Sequence, residues 1–210
     1  MIEIWRSALR IPAFRNHAIF WLAIMITLGC VIPPFFDYLQ NRPGCVVLYD
    51  PLLVMIPSMD LSIPIFVMIY GTLFYILLMA LRNPTVFSTY IASYSVMMAI
   101  RIVMLWLTPF EQPDGLVPLT DPISFQLYGN KVVTHDLFFS GHTATSFLIF
   151  WTLTGRKERL TMLVLTICLA IMLLIQHIHY SIDVAVAFPV SYTAYKLGKY
   201  LFRFPMEDRP

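Results

Sequence analysis

Residues 160–184 read LTMLVLTICLAIMLLIQHIHYSIDV, and they decide the fold. From Leu160 to Ile175 no charged side chain occurs, and Leu, Ile, Met and Val fill most positions. A helix of such residues has no polar face to offer water, so its solvent is lipid; crossing the hydrocarbon takes ~20 residues at ~1.5 Å each. The run then gives way to His177, His179 and Asp183, polar groups collected where the helix leaves the apolar layer.

The remaining sequence extends this pattern. Its 210 residues are 59% hydrophobic and 12% charged, with 16 Phe, 12 Met and 11 Tyr, and the mean hydropathy is +0.74. A soluble domain carries roughly 25% charged residues, so too little polar surface exists here to coat a globule in water. Disorder, collagen-like repeats and a soluble nucleic-acid-binding module are excluded on the same grounds. Apolar stretches near 18–36, 61–81, 86–107, 137–154, 160–178 and 182–202 predict a six-helix membrane bundle, all-α, as one domain over 1–210. Residues 1–17 set Ile2, Trp5 and Leu9 among Arg6, Arg10 and Arg15. They predict an interfacial amphipathic segment anchored by Trp5, and 203–210 a short tail. The first span has no small-x-small cleavage site and runs into Pro33-Pro34-Phe35-Phe36, which predicts a permanent span rather than a signal peptide. The apolar stretch 46–56 is too short to span and is broken by Asp50 and Pro51; a reentrant or interfacial segment capping a site is expected.

Charge predicts orientation. Six spans place both termini and the 82–85 and 155–159 turns on one side. That side holds Arg6, Arg10, Arg15, Arg82, Arg156, Lys157, Arg159, Lys196, Lys199, Arg203 and Arg209, against Arg42 and Lys131 opposite. The positive-inside rule makes the termini cytoplasmic and turns the two acidic loops, 37–60 and 108–136, to the exterior or lumen. Cys30, Cys45 and Cys168 lie far apart with no CxxC, a spacing that gives neither a disulfide framework nor a zinc motif.

Ionisable groups within membrane spans are costly and mark function by default. Here they gather at one depth: Asp136 and His142 at the outer start of the fourth span, His177, His179 and Asp183 at the outer turn between the last two, and Arg101 six residues below the outer end of the third. In His135-Asp-Leu-Phe-Phe-Ser-Gly-His-Thr143, Ser140 is a good N-cap and Gly141 permits close approach to the backbone. The free N–H groups of that helix start suit a phosphate, with His142 beside it to exchange a proton. In His177-Ile-His-Tyr-Ser-Ile-Asp183, a helical i,i+4 spacing brings the His179 ring to the Asp183 carboxylate. A carboxylate on one ring nitrogen fixes the tautomer and leaves the other nitrogen a nucleophile. Arg101 adds a planar fork for two phosphate oxygens.

Ser-Gly-His followed later by His-x-x-x-Asp resembles the signature of the type 2 phosphatidic acid phosphatase superfamily. The longer strings, Asp136-x-x-x-Ser-Gly-His-Thr143 and His177-x-His-Tyr-Ser-Ile-Asp-Val184, are more similar to its sphingomyelin synthase branch, whose second motif reads His-x-His-Tyr-Thr-x-Asp-Val. The stretch from Arg101 to Pro109 is similar too. Met172-Leu173 stand where the phosphatases carry Ser-Arg, and Tyr94 and Ile102 replace the outer members of their Lys-x6-Arg-Pro motif. The synthases' Cys-Gly-Asp is Thr134-His135-Asp136 here. The resemblance implies a site near the outer leaflet with His142, His179 and Asp183 as the catalytic set, His179 the nucleophile and His142 the acid and base. It implies a lipid phosphotransferase moving a headgroup from a phospholipid donor to a lipid alcohol, ceramide or diacylglycerol, through a phosphohistidine; a phosphatase using water is the alternative.

Arg101, Ser140 and Gly141 are expected to hold the phosphate, and Asp136, His177 and Tyr180 to support the site. No metal or other cofactor is expected, because Arg101 and backbone donors can neutralise the phosphate. Tyr180 and Phe138-Phe139 read as interfacial aromatics lining the way in for acyl chains, and Asp60 and His135 as ordinary loop residues. A weaker reading has Arg101 snorkelling to headgroups. A distant one makes the histidines haem ligands or a transporter's proton relay.

Overall fold

A computed structural model describes residues 2–119 and 135–201; the 203–210 tail, Lys131 and Thr134 lie outside them. The described elements are α1 (Ile2–Arg10), α2 (Pro12–Gln40), α3 (Pro51–Met55), α4 (Ser62–Arg82), α5 (Pro84–Leu107), α6 (Gly141–Thr152), α7 (Arg156–Ile175) and α8 (Ser181–Leu201). Four of them, α2, α4, α5 and α7, are long and apolar enough to cross a membrane. The all-helical membrane character is thus present, with four candidate spans among the described residues where the sequence predicts six. α6 has 12 residues, ~18 Å of helix against ~30 Å of hydrocarbon, where the sequence predicts a span over 137–154. Its shortness follows from Ser140, which caps the helix and leaves 135–140 irregular. α8 has the length, with 21 residues, but Asp183, Lys196 and Lys199 dilute its apolar run.

α2 continues through Pro33 and Pro34 to Gln40 rather than ending near 36. A mid-helix proline removes one N–H donor and crowds the carbonyl four residues back. Phe36 and Leu39, beyond it, are buried against Leu105 of α5, and that packing stabilises the continued helix. α1 buries no residue of its own, yet Trp5 does more than sit at an interface: its indole N–H donates to the Leu81 carbonyl at 2.7 Å, with its ring edge-on to Phe14 and Phe87. Asn83 alone separates α4 from α5 and caps the latter by accepting the Thr85 N–H at 2.9 Å.

The centre is where α5, α6 and α8 meet around Met97, Phe139, Ala144, Leu148, Ala187 and Ala194. Small residues bring backbones together in such bundles. Gly198 of α8 lies so near α5 that a Cβ there would stand 2.6 Å from the Ser93 N and Cα. At one end of the bundle, the last turns of α5 and α7 and the starts of α4, α6 and α8 converge beneath the loops 41–61 and 108–119.

Candidate active site

Two helix starts face each other at that end. Ser140, fully buried, accepts the Thr143 N–H through Oγ at 3.4 Å and donates to Thr143 Oγ1 at 3.0 Å. Its own N–H donates to the Asp183 carbonyl at 3.1 Å. Asp183, three residues into α8, reaches back to accept the Tyr180 N–H through Oδ2 at 2.9 Å, the carboxylate half of a capping box. The Ser-Gly-His and His-x-x-x-Asp segments are therefore joined by one main-chain hydrogen bond, which places His142, half-buried in the first turn of α6, close to the α8 start.

His179 lies in the turn before α8, not on the helix itself. The i,i+4 pairing expected from a helix is reached by a different route: the turn carries His179 over the first turn of α8, where its Nδ1 stands 3.5 Å from Asp183 Oδ2. Both side chains are buried, at 3% and 0% exposure, and among the described residues neither His179 Nδ1 nor Asp183 Oδ1 has a hydrogen-bond partner. At 3.5 Å the contact is longer than a good hydrogen bond; catalytic contacts commonly tighten only around the substrate. Buried polar atoms are nearly always satisfied; hydroxyls of α5 such as Ser93 and Ser95 are also left without a partner among the described residues, but here the two atoms stand on an imidazole and a carboxylate 3.5 Å apart.

Arg101 does not snorkel. It is 4% exposed, donates to Asp136 Oδ1 at 2.7 Å and to the Phe139 carbonyl, and its guanidinium lies over the Phe139 ring at 5.5 Å. Gly141 is what makes room for it: a Cβ there would meet Arg101 Cζ at 2.8 Å. The close approach predicted at Gly141 is thus made by the arginine, at the positive end of α6. Arg101 lies six residues, ~9 Å, below the end of α5, so the site is sunk into the bundle.

The supporting residues turn out to be ties to the loops above. Tyr180 is 1% exposed; its hydroxyl donates to the Glu111 carbonyl at 3.0 Å and accepts the Leu48 N–H at 3.2 Å. Phe139 is fully buried in the core. Neither is the lipid-facing aromatic that its position predicts; Phe138 alone of the trio is partly exposed, edge-on to Phe110. His177, at φ 55°, points away from His179 because that left-handed residue reverses the chain. Its Nδ1 lies 2.9 Å from the Asp114 carbonyl and its Nε2 2.9 Å from the Ile56 carbonyl. Asp136 holds Arg101, as described.

Two buried residues escape the sequence reading. Asp50 caps α3 by accepting the Leu52 N–H at 3.0 Å and, through its other oxygen, the Ser181 N–H at 2.6 Å, so one carboxylate fixes both the cap loop and the α8 start. Burial works to raise its pKa, but the hydrogen bonds from Ser181, Leu52 and Leu53 outweigh that and hold it below 3.8. Asp-Pro before an apolar run is a helix-start signal, and it was the available clue. Gln176, fully buried, accepts the Leu61 N–H at 3.1 Å and donates to Ser62 Oγ at 2.9 Å. Asp60 stays an exposed loop residue that accepts from Ser62.

Residues 135–200 match the family model described as PAP2 superfamily C-terminal. The match contains both motif histidines and Asp183, and it supports the PAP2 superfamily and a lipid enzyme of phosphatase or phosphotransferase type. No curated protein and no solved structure matches the chain.

Proposed function

We propose that this protein is an integral-membrane lipid phosphotransferase that moves a phosphate-linked headgroup from a glycerophospholipid to a lipid alcohol such as ceramide. The observation that carries the reading is the buried His179–Asp183 pair with its two unpartnered atoms, set where the two motif segments meet and beside the Arg101 end of α6.

In the proposed reaction the donor phosphodiester sits at the α6 start, its charge met by Arg101 and the helix dipole. Asp136 supplies the counter-charge to Arg101 when no phosphate is bound. His179 carries its proton on Nδ1, facing Asp183, and attacks phosphorus through the Nε2 lone pair. The N–P bond forms as the bond to the donor's lipid oxygen breaks, and His142 gives that oxygen a proton, releasing diacylglycerol. Asp183 stabilises the imidazolium-like charge on the ring. His142, now neutral, removes the proton from the acceptor hydroxyl, whose oxygen displaces His179 from phosphorus. One histidine serves as acid and then base, as reversibility requires. Met172-Leu173, in place of the phosphatases' Ser-Arg, favour transfer over hydrolysis. The basic end of the bundle, with Arg82, Arg156, Lys157 and Lys199, lies opposite the site, so the positive-inside rule assigns the site to the non-cytoplasmic leaflet and the termini to the cytoplasm.

The test offers the purified chain phosphatidic acid in one arm and a phosphodiester donor plus ceramide in another, followed by lipid mass spectrometry. Headgroup-bearing ceramide together with diacylglycerol is the expected product, absent in His179→Ala. Phosphate release from phosphatidic acid alone would replace transfer by hydrolysis, and an unchanged lipid profile in both arms would remove the reading altogether.

A further inference from the structure

Above the site, three loop segments bring together side chains that the sequence scatters. Cys45, Glu111 and His135 present a thiol sulfur, a carboxylate oxygen and an imidazole nitrogen that all lie within 4.8 Å of one another. His135 Nε2 stands 3.0 Å from Glu111 Oε1. The arrangement is built by the backbone: Val46 and Phe110 form a parallel bridge, with the Val46 N–H donating to the Pro109 carbonyl and the Glu111 N–H to the Val46 carbonyl, each at 2.9 Å. That register sets Cys45 beside Glu111, and the chain returning toward α6 brings in His135. All three are partly buried, sheltered from bulk water yet reachable by a small ion.

We propose that Cys45, Glu111 and His135 form a binding site for one divalent cation of borderline softness, with Zn2+ the best fit. A thiolate and an imidazole select against Mg2+ and Ca2+, which take oxygen ligands. Zinc bonds of ~2.0–2.3 Å in a tetrahedron put ligand atoms ~3.3–3.7 Å apart; the His135–Glu111 pair is already near that spacing, and the longest pair needs about 1 Å of closure. Three protein ligands leave the fourth position to water. Sequence spacing cannot disclose such a site, because its ligands come one from each of three loops.

The cation acts as a clasp. It binds the 41–50 loop, the 108–116 loop and the lead-in to α6 to one another. Through the neighbouring bonds of Asp136 to Arg101 and of the Tyr180 hydroxyl to the Glu111 carbonyl, it steadies the arginine and the turn that carries His179. The site is independent of which lipid the enzyme uses.

The experiment uses the full chain, reduced and stripped by chelator in detergent micelles, titrated with Co2+ alone and then with Zn2+. A thiolate-to-cobalt charge-transfer band in the near ultraviolet is expected, saturating at one cobalt per chain and erased by Zn2+. Zn2+ also raises the Tm of the wild-type chain. Cys45→Ser loses the band, Glu111→Gln weakens binding at least tenfold, and Cys30→Ser and Cys168→Ser retain the full band. If Cys45→Ser fails to fold, Glu111→Gln and His135→Gln decide by the same titration. A wild-type chain without saturable cobalt binding, a band that survives Cys45→Ser or the loss of both other ligands, or an equal Tm rise with Mg2+ overturns the proposal.

Discussion

The turn between α7 and α8 has two sides, and they treat the same side chain differently. On the side facing the loops, His177 is 7% exposed and both its ring nitrogens meet carbonyl oxygens. On the side facing the bundle, His179 is 2% exposed and its Nδ1 finds, among the described residues, only a carboxylate oxygen at 3.5 Å, short of a hydrogen bond. A histidine whose ring is held between two main-chain carbonyls is a strut: its contacts are made without any substrate. A histidine left with an unpartnered nitrogen against an unpartnered carboxylate oxygen costs stability in the empty protein. Such an arrangement is retained where the group has work to do once a ligand arrives.

Substitution breaks or sharpens this contrast, and the largest expected effect is at Asp183. Asp183→Asn keeps the shape but removes the charge that stabilises the ring of His179. Turnover by lipid mass spectrometry should fall by roughly 10³–10⁴-fold, while the Tm moves little, since the Tyr180 N–H still finds an oxygen. A variant within tenfold of wild type would make His179 as structural as its neighbour. At His177 the ranking inverts. His177→Ala removes the ring that lies against the Asp114 and Ile56 carbonyls and takes away the hydrogen bond it donates there, at a cost of roughly 1–3 kcal/mol, read as a lower denaturation midpoint. The rate of the first-step release of diacylglycerol should stay within tenfold; a loss of rate in a chain of normal stability would bring His177 into the chemistry.

The smallest effect is expected at Asp50 and shows as pH dependence. Its carboxyl is held below 3.8 in the folded chain, because hydrogen bonds from Ser181, Leu52 and Leu53 outweigh burial, which acts the other way. A depressed folded pKa gives stabilisation that is complete above the unfolded value and disappears as pH falls through the folded one. The Tm of the wild-type chain should therefore drop more steeply below about pH 4 than that of Asp50→Asn, the two curves converging in acid. Parallel curves would show that Asp50 carries no such linkage.

What the sequence made legible is what local rules govern. The apolar runs gave the long helices, Ser140 its cap, and the two motif segments their place at one end. The rest depends on partners remote along the chain. α6 is two thirds of the predicted span: Ser140, legible as a cap, starts it late, and the 135–140 segment before it is held by Arg101 and by the Asp183 carbonyl, which are not visible in its own residues. Tyr180 and Phe139 carry the composition of an interfacial belt, but the loops over the site bury Tyr180 and the helices α5, α6 and α8 bury Phe139. Asp50 announces its α3 partners Leu52 and Leu53 locally, through Asp-Pro, and Ser181 only in three dimensions. The left-handed backbone at His177, which decides which histidine faces the bundle, has no glycine or asparagine to betray it.

The tight links at the basic end have a mechanical meaning. Asn83 alone joins α4 to α5, and only residues 153–155 join α6 to α7. Each helix pair is thus a pair of tongs with its pivot far from the site. Along the ~30 Å arms of α4 and α5, a tilt of ~5° opens the far tips by ~3 Å, and along the shorter α6 by about half of that. Such a tilt unwinds no helix, and it displaces the close contact of Gly198 with Ser93 less than it displaces the tips.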